Sequence, residues 1–125
     1  MEKNYNEIIK MFKRLGFQGE DAETFENYAR IKTSLENHSL SKIAISVRYL
    51  ECVYGTKFPI YVQGMRRERY IEKIIESLIL HSFAAKEDKS ILSKTDNALE
   101  MAEKGIPGIT NGLPWYLKLF RTNKN

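Results

Sequence analysis

The chain has 125 residues, 42% hydrophobic and 29% charged, with a formal net charge of +4. That length fits one domain with one core, and the composition is that of a globular protein rather than a disordered, collagenous or disulfide-rich one. Lys118, Arg121 and Lys124 supply most of the surplus charge and lie in residues 105–125, which hold no acid. The remainder is nearly neutral, which excludes a uniformly basic nucleic-acid binder.

Helical periodicity runs from Tyr5 to about Lys104. The first expected helix spans Tyr5 to Leu15, with Ile8, Met11, Phe12 and Leu15 as its apolar stripe and Gly16 placed for a left-handed cap. The second spans Asp21 to Leu35. Its acids Glu20, Asp21 and Glu23 suit the positive end of a helix, and its stripe passes through Ala22, Phe25, Tyr28 or Ala29, Ile31 or Lys32, and Leu35.

The third runs from Leu40, after a Ser39 or Ser41 cap, to Tyr54 before Gly55. It is apolar almost all round, which predicts a helix buried at the centre of the domain. A short helix from Pro59 to before Gly64 follows, or a strand over Phe58 to Val62, the latter with no second strand to pair with. The next helix covers Met65 to Leu80. A final helical region starts at Asp88 or Ser90, breaks near Ser93 to Thr95 and ends around Glu103. Residues 1–104 thus form an all-α domain. Residues 105–125 begin as Gly-Ile-Pro-Gly-Ile-Thr-Asn-Gly-Leu-Pro and form a separate tail.

The single cysteine, Cys52, lies in the apolar third helix and excludes an internal disulfide. A structural thiol in a reducing compartment is expected. No apolar run approaches the ~20 residues of a membrane span, and Met1 to Lys10 has no apolar leader core. An intracellular protein without membrane association is expected.

Catalytic and cofactor signatures are missing from the sequence. The glycines form no phosphate loop, and no GxSxG, HExxH or CxxC motif occurs. His38 and His81 fall on different helices without metal-ligand spacing and read as surface or cap residues. The expectation is a protein without enzymatic activity, cofactor or metal.

Two features suggest binding. The helix from Met65 opens with Arg66, Arg67 and Arg69, and cations there oppose the helix dipole. Ile71, Ile74, Ile75 and Leu78 share one face, while Arg66, Arg69 and Lys73 form a row on the other. A short helix, a glycine turn and a helix starting with basic residues is the plan of a helix-turn-helix, whose second helix meets DNA with its first turn. Arg66, Arg67, Arg69 and Lys73, with Lys57 and Lys42 nearby, are the candidate contacts to phosphates of double-stranded DNA. Glu68, Glu72 and Glu76 on the same helix equally fit a solvated mixed-charge face. The second feature is the aromatic segment Leu113 to Arg121. There Trp115, Tyr116, Leu117, Leu119 and Phe120 either dock in a partner's groove or fold back on the chain's own helices.

The helix order resembles a cyclin-like repeat of the transcription factor IIB type. The core segment Lys42-Ile43-Ala44-Ile45-Ser46-Val47-Arg48-Tyr49-Leu50-Glu51-Cys52-Val53-Tyr54-Gly55 carries that likeness. Within such proteins the chain is most similar to the smallest, sixth subunit of the eukaryotic origin recognition complex. The likeness covers roughly residues 5 to 104 and is carried by Lys13-Arg14-Leu15-Gly16-Phe17, the helix Ala22 to Leu35, Gly64-Met65-Arg66-Arg67-Glu68-Arg69-Tyr70 and Ala98 to Lys104. The resemblance implies a single cyclin-like helical bundle, reduced from that family's usual two repeats. It also implies a nuclear, non-enzymatic DNA-replication protein that contacts DNA weakly and joins other subunits of an initiation complex, with the Trp115 segment as the joining element. A cyclin-like protein-interaction module, or a transcription factor IIB-like factor without a replication role, is the alternative.

Overall fold

A computed structural model describes residues 2–17, 21–84 and 90–104. These form five helices and, among the described residues, no strand: α1 (Glu2–Arg14), α2 (Ala22–Glu36), α3 (Leu40–Tyr54), α4 (Arg67–Ala84) and α5 (Ile91–Lys104). The all-α bundle expected from the periodicity is present. Residues 105–125, with the expected docking group Trp115, Tyr116, Leu117, Leu119 and Phe120, lie outside the described residues.

Local chemistry sets the helix ends. The Asp21 side chain accepts the Thr24 N–H at 2.9 Å at the start of α2, and Ser39 accepts that of Lys42 at 3.3 Å at the start of α3. Each satisfies an amide that the helix itself leaves without a partner. Gly55 closes α3 with φ +66°, a left-handed conformation in which a side chain is strained.

The helices pair antiparallel. Asn4 of α1 meets Thr33 and Glu36 at the far end of α2, while Phe12 packs edge-on against Phe25 and Tyr28. The Tyr28 hydroxyl donates to the Leu78 carbonyl of α4 at 3.3 Å, and Arg67 at the start of α4 reaches the end of α2. Lys42 at the start of α3 donates to the Ala102 carbonyl at the end of α5 at 2.9 Å, and Lys94 near the start of α5 sits over the Tyr54 ring. Helix α2 packs against α1, α4 and α5, whereas α3 packs mainly on α5.

Three expectations change. Helix α3 is not buried all round. Ile43, Val47 and Leu50 are in the core, but Ala44, Ile45, Tyr49 and Cys52 are half-buried and Val53 is exposed. The deepest run belongs to α4, where Tyr70, Ile71, Ile74, Ile75, Leu78 and Ile79 are all buried. Neither the short helix nor the strand expected at 58–63 forms. Phe58 precedes a proline, which biases it away from helical dihedrals. Its N–H is also taken by the Glu51 carboxylate at 2.8 Å. The first helix of the expected helix-turn-helix is therefore not there. Lastly, α5 runs without a break through Ser93 to Thr95, because Thr95 is buried and donates its hydroxyl to the Ile91 carbonyl at 2.9 Å.

The burial pattern is checked by paired truncations. Ile74→Ala in α4 is expected to cost about 2–5 kcal/mol. Val53→Ala on the outer side of α3 should change stability by no more than about 0.5 kcal/mol. Chemical denaturation followed by circular dichroism measures both.

Candidate functional site

The basic residues singled out in the sequence do not form one patch. Arg67 points back into the bundle, where its Nη2 donates to the carbonyls of Leu35 (3.4 Å), Glu36 (2.6 Å) and His38 (2.5 Å). Leu35 and Glu36 are the last residues of α2 and His38 follows its cap, a place where the helix itself leaves C=O groups in need of donors and the dipole is negative. A cation misplaced for its own helix is well placed for its neighbour. Lys42 plays the same part for the end of α5 through the Ala102 carbonyl. Arg69 pairs with Glu72, which also lies 3.9 Å from Arg14 of α1. Arg14 pairs more closely with Glu76, and that partner holds its guanidinium above the ordinary range against the opposing effect of burial.

Arg66 is the most outward of the set, with 83% of its side chain exposed and Glu68 3.9 Å away. Lys73 is half-buried on the same row, and Lys57 is exposed in the α3–α4 connection. The outward row of α4 thus alternates signs, with Glu68 between Arg66 and Arg69 and Glu72 between Arg69 and Lys73.

Beside this row lies an open, polar cleft of about 790 Å³, lined by Asn4, Glu7, Lys32, Thr33, Glu36, Arg66, Glu68, Arg69 and Glu72. Its floor is a hydrogen-bonded group built on a buried lysine. Lys32 Nζ meets Glu36 Oε2 at 2.9 Å, Glu7 Oε2 at 3.0 Å and Asn4 Oδ1 at 3.0 Å. The Asn4 amide donates to Thr33 Oγ1 at 2.8 Å and Glu36 Oε1 at 3.0 Å. Both polar atoms of the Asn4 side chain have partners, which is what a buried amide requires. Burial alone would lower the Lys32 pKa, but Glu36 and Glu7 together outweigh it and hold the ammonium above the ordinary lysine range. Its group was legible only as a lysine on the apolar register of α2, where a buried, paired cation replaces a core side chain.

A second feature escaped the sequence reading. Residues 55–66 form the connection from α3 to α4, and three consecutive hydrophobic side chains in it face water. Ile60 is 55% exposed, Val62 53% and Tyr61 39%. The segment is held at both ends. Glu51, itself buried, accepts the Phe58 N–H through its carboxylate and the Gly55 and Thr56 N–H groups through its carbonyl. Phe58 is buried between Tyr54 and His81, and Tyr61 donates its hydroxyl to the Met65 carbonyl at 2.9 Å while meeting Tyr70 edge-on. In the sequence Phe58 to Val62 is an apolar run interrupted only by Pro59, and only the structure separates buried Phe58 from exposed Ile60 and Val62.

His38 donates from Nδ1 to the Ser34 carbonyl at 2.7 Å at the end of α2, and His81 stacks on Phe58. Cys52 is half-buried, and burial together with the Glu51 charge pushes its thiol pKa up, which disfavours the reactive thiolate. Among the described residues, no three His, Cys, Asp or Glu side chains gather as a metal site, and no helix is long and apolar enough to cross a membrane.

No family model, curated protein or solved structure matches the chain.

Two measurements follow from this geometry. Arg67→Ala should lower stability by about 1–3 kcal/mol, because it removes charge-assisted hydrogen bonds at a helix end. Arg66→Ala should have almost no effect on melting. Lys32 makes the alkaline limb of stability diagnostic. A lysine raised in the folded state contributes stability in full below its unfolded pKa of about 10.4 and loses it as pH rises through the higher folded value. Lys32→Met should therefore be destabilised at pH 7 and flatten that alkaline limb in a denaturation series across pH.

Proposed function

We propose that the chain acts by binding rather than by catalysis, as a helical subunit of a larger protein assembly whose contact is the α3–α4 connection. The observation that carries this reading is the pair Ile60 and Val62, both more than half exposed on a segment fixed at Glu51 and Met65. Exposed aliphatic side chains on a fixed backbone match the anchor residues of protein interfaces, which fill a partner's pocket and lose water on contact. The neighbouring Tyr61 adds an aromatic surface with its hydroxyl already partnered. Nothing in the polar cleft matches a catalytic arrangement, since Lys32 is committed to Glu7, Glu36 and Asn4.

A finer reading follows the resemblance to the sixth subunit of the origin recognition complex. In it the assembly is a nuclear replication-initiation complex and the chain also touches DNA phosphates. The exposure of Arg66, with Arg69 and Lys73 in the same row, supports it. Phosphate contacts of this kind give salt-dependent affinity without sequence choice. The engagement of Arg67 and Lys42 inside the bundle narrows the candidate contacts on α4 to Arg66, Arg69 and Lys73.

Two experiments test these readings. In the first, the tagged full-length chain and its Ile60→Asp/Val62→Asp variant are used to capture partners from the source cell. The binding reading expects a defined partner retained by the first and lost from the second, with unchanged circular dichroism. Equal retention by both removes the connection as the contact. In the second, fluorescence anisotropy with duplex DNA across a salt series compares the chain with Arg66→Ala/Arg69→Ala. The DNA reading expects the log–log salt slope to fall by about 1–2 in the variant. An unchanged slope, or no binding by either protein, ends it.

A further inference from the structure

Buried polar side chains in the bundle are matched with protein partners, with one exception. Among the described residues, Asn4, Lys32, Ser46, Glu51, Thr95 and Tyr28 are buried and each is hydrogen-bonded. Tyr70 is 1% exposed, and its hydroxyl has no hydrogen-bond partner among the described residues. A buried hydroxyl left in that state carries its desolvation cost uncompensated. Tyr70 stands in the first turn of α4, with its ring edge-on to Tyr61 of the α3–α4 connection.

The charged groups that bear on this phenol are Arg48 and Glu51 of α3. Burial pushes its pKa above the ordinary tyrosine range, while Arg48 opposes and Glu51 adds to the shift. Glu51 has accepting capacity left. Its Oε2 takes the Phe58 N–H at 2.8 Å, but its Oε1 lies 3.5 Å from Arg48 Nη1. That is longer than the about 2.7–2.9 Å of a close charge-assisted pair. Polar groups separated in this way are commonly bridged by water.

The chemistry of the three groups selects the occupant. The phenol and the guanidinium donate, and the carboxylate accepts. An anion would be repelled by Glu51 and a cation by Arg48. A small neutral molecule that accepts twice and donates once satisfies all three groups. Water does so, and internal waters typically make about three such bonds. We propose that the Tyr70 hydroxyl, Glu51 Oε1 and the Arg48 guanidinium hold one internal water molecule that joins α4 to α3 beneath the connection. It accepts from Tyr70 and Arg48 and donates to Glu51. Because the other Glu51 oxygen holds the Phe58 amide, the water belongs to the anchor of the connection as well. The inference does not depend on the connection being a partner contact, and its test involves no partner.

Tyr70→Phe removes the hydroxyl and keeps the ring, and the full-length chain is compared with it in two measurements. Water-oxygen magnetic relaxation dispersion counts the internal waters that exchange slowly with bulk, and one fewer is expected in the variant. Equilibrium denaturation should show the unfolding constant of the variant raised about fivefold, the weight of one net hydrogen bond. A hydroxyl without any partner predicts the opposite sign, since its removal would leave stability equal or higher. Equal water counts in the two proteins overturn the proposal whatever the stability change, because the hydroxyl then bonds to protein or to nothing. A variant as stable as the full-length chain, or more stable, also overturns it.

Discussion

The arrangement of the bundle depends on how α2 ends. A helix finishing inside a domain leaves carbonyl groups that need donors, and α2 finishes against the first turn of α4. Arg67 supplies the donors. Its guanidinium reaches three successive regions of the α2 terminus, the carbonyls of Leu35, Glu36 and His38. Because Arg67 is the first residue of α4, this contact fixes where that helix begins and brings its apolar face, Ile71 to Leu78, onto α2. The Tyr28–Leu78 hydrogen bond then sets the pair at its other end. With α1 and α5 also packed on α2, most of the core depends on this junction.

The same junction explains why the charge pattern of α4 misleads when read along the chain. Cations at a helix start suggest an anionic ligand, since they disfavour their own helix. That reasoning treats the helix as isolated. In three dimensions the start of α4 and the end of α2 share a space, where the negative end of α2 offsets the positive end of α4 and its carbonyls accept from Arg67. Arg69 and Arg14 are balanced in a similar way by Glu72 and Glu76. What remains facing outward is a surface of alternating sign beside a polar cleft, closed at its floor by Lys32 and its carboxylates.

Much of the helical plan was readable because it rests on local chemistry. The Ser39 cap, the left-handed Gly55 and the stripes of α1 and α2 are written in neighbouring residues. The failures all involve tertiary partners. Pro59 suits a helix start, but whether residues 58–63 form one was decided by the distant Glu51 carboxylate claiming the Phe58 amide. Thr95 looked like a helix breaker until burial gave its hydroxyl no better acceptor than the Ile91 carbonyl. The apolar surround of α3 was real, yet it predicted full burial on every side, whereas Ala44, Ile45, Tyr49 and Cys52 are half-buried and Val53 is exposed. Among the candidate site residues, sequence separated Arg66 from Arg67 by one position, and only the neighbouring helix separates their roles.

The Glu51 carboxylate has a thermodynamic consequence. Ordering a loop on binding costs conformational entropy for each residue whose backbone and side chain must be fixed. Between α3 and α4 that ordering is completed during folding, by one carboxylate, the two positive-φ glycines Gly55 and Gly64, and two buried or edge-packed aromatic rings. A partner that receives Ile60 and Val62 would meet them already displayed in one conformation. Association there would draw its free energy from desolvated aliphatic area with little ordering cost set against it. Loss of Glu51 would weaken such an association while leaving every contacting side chain chemically unchanged.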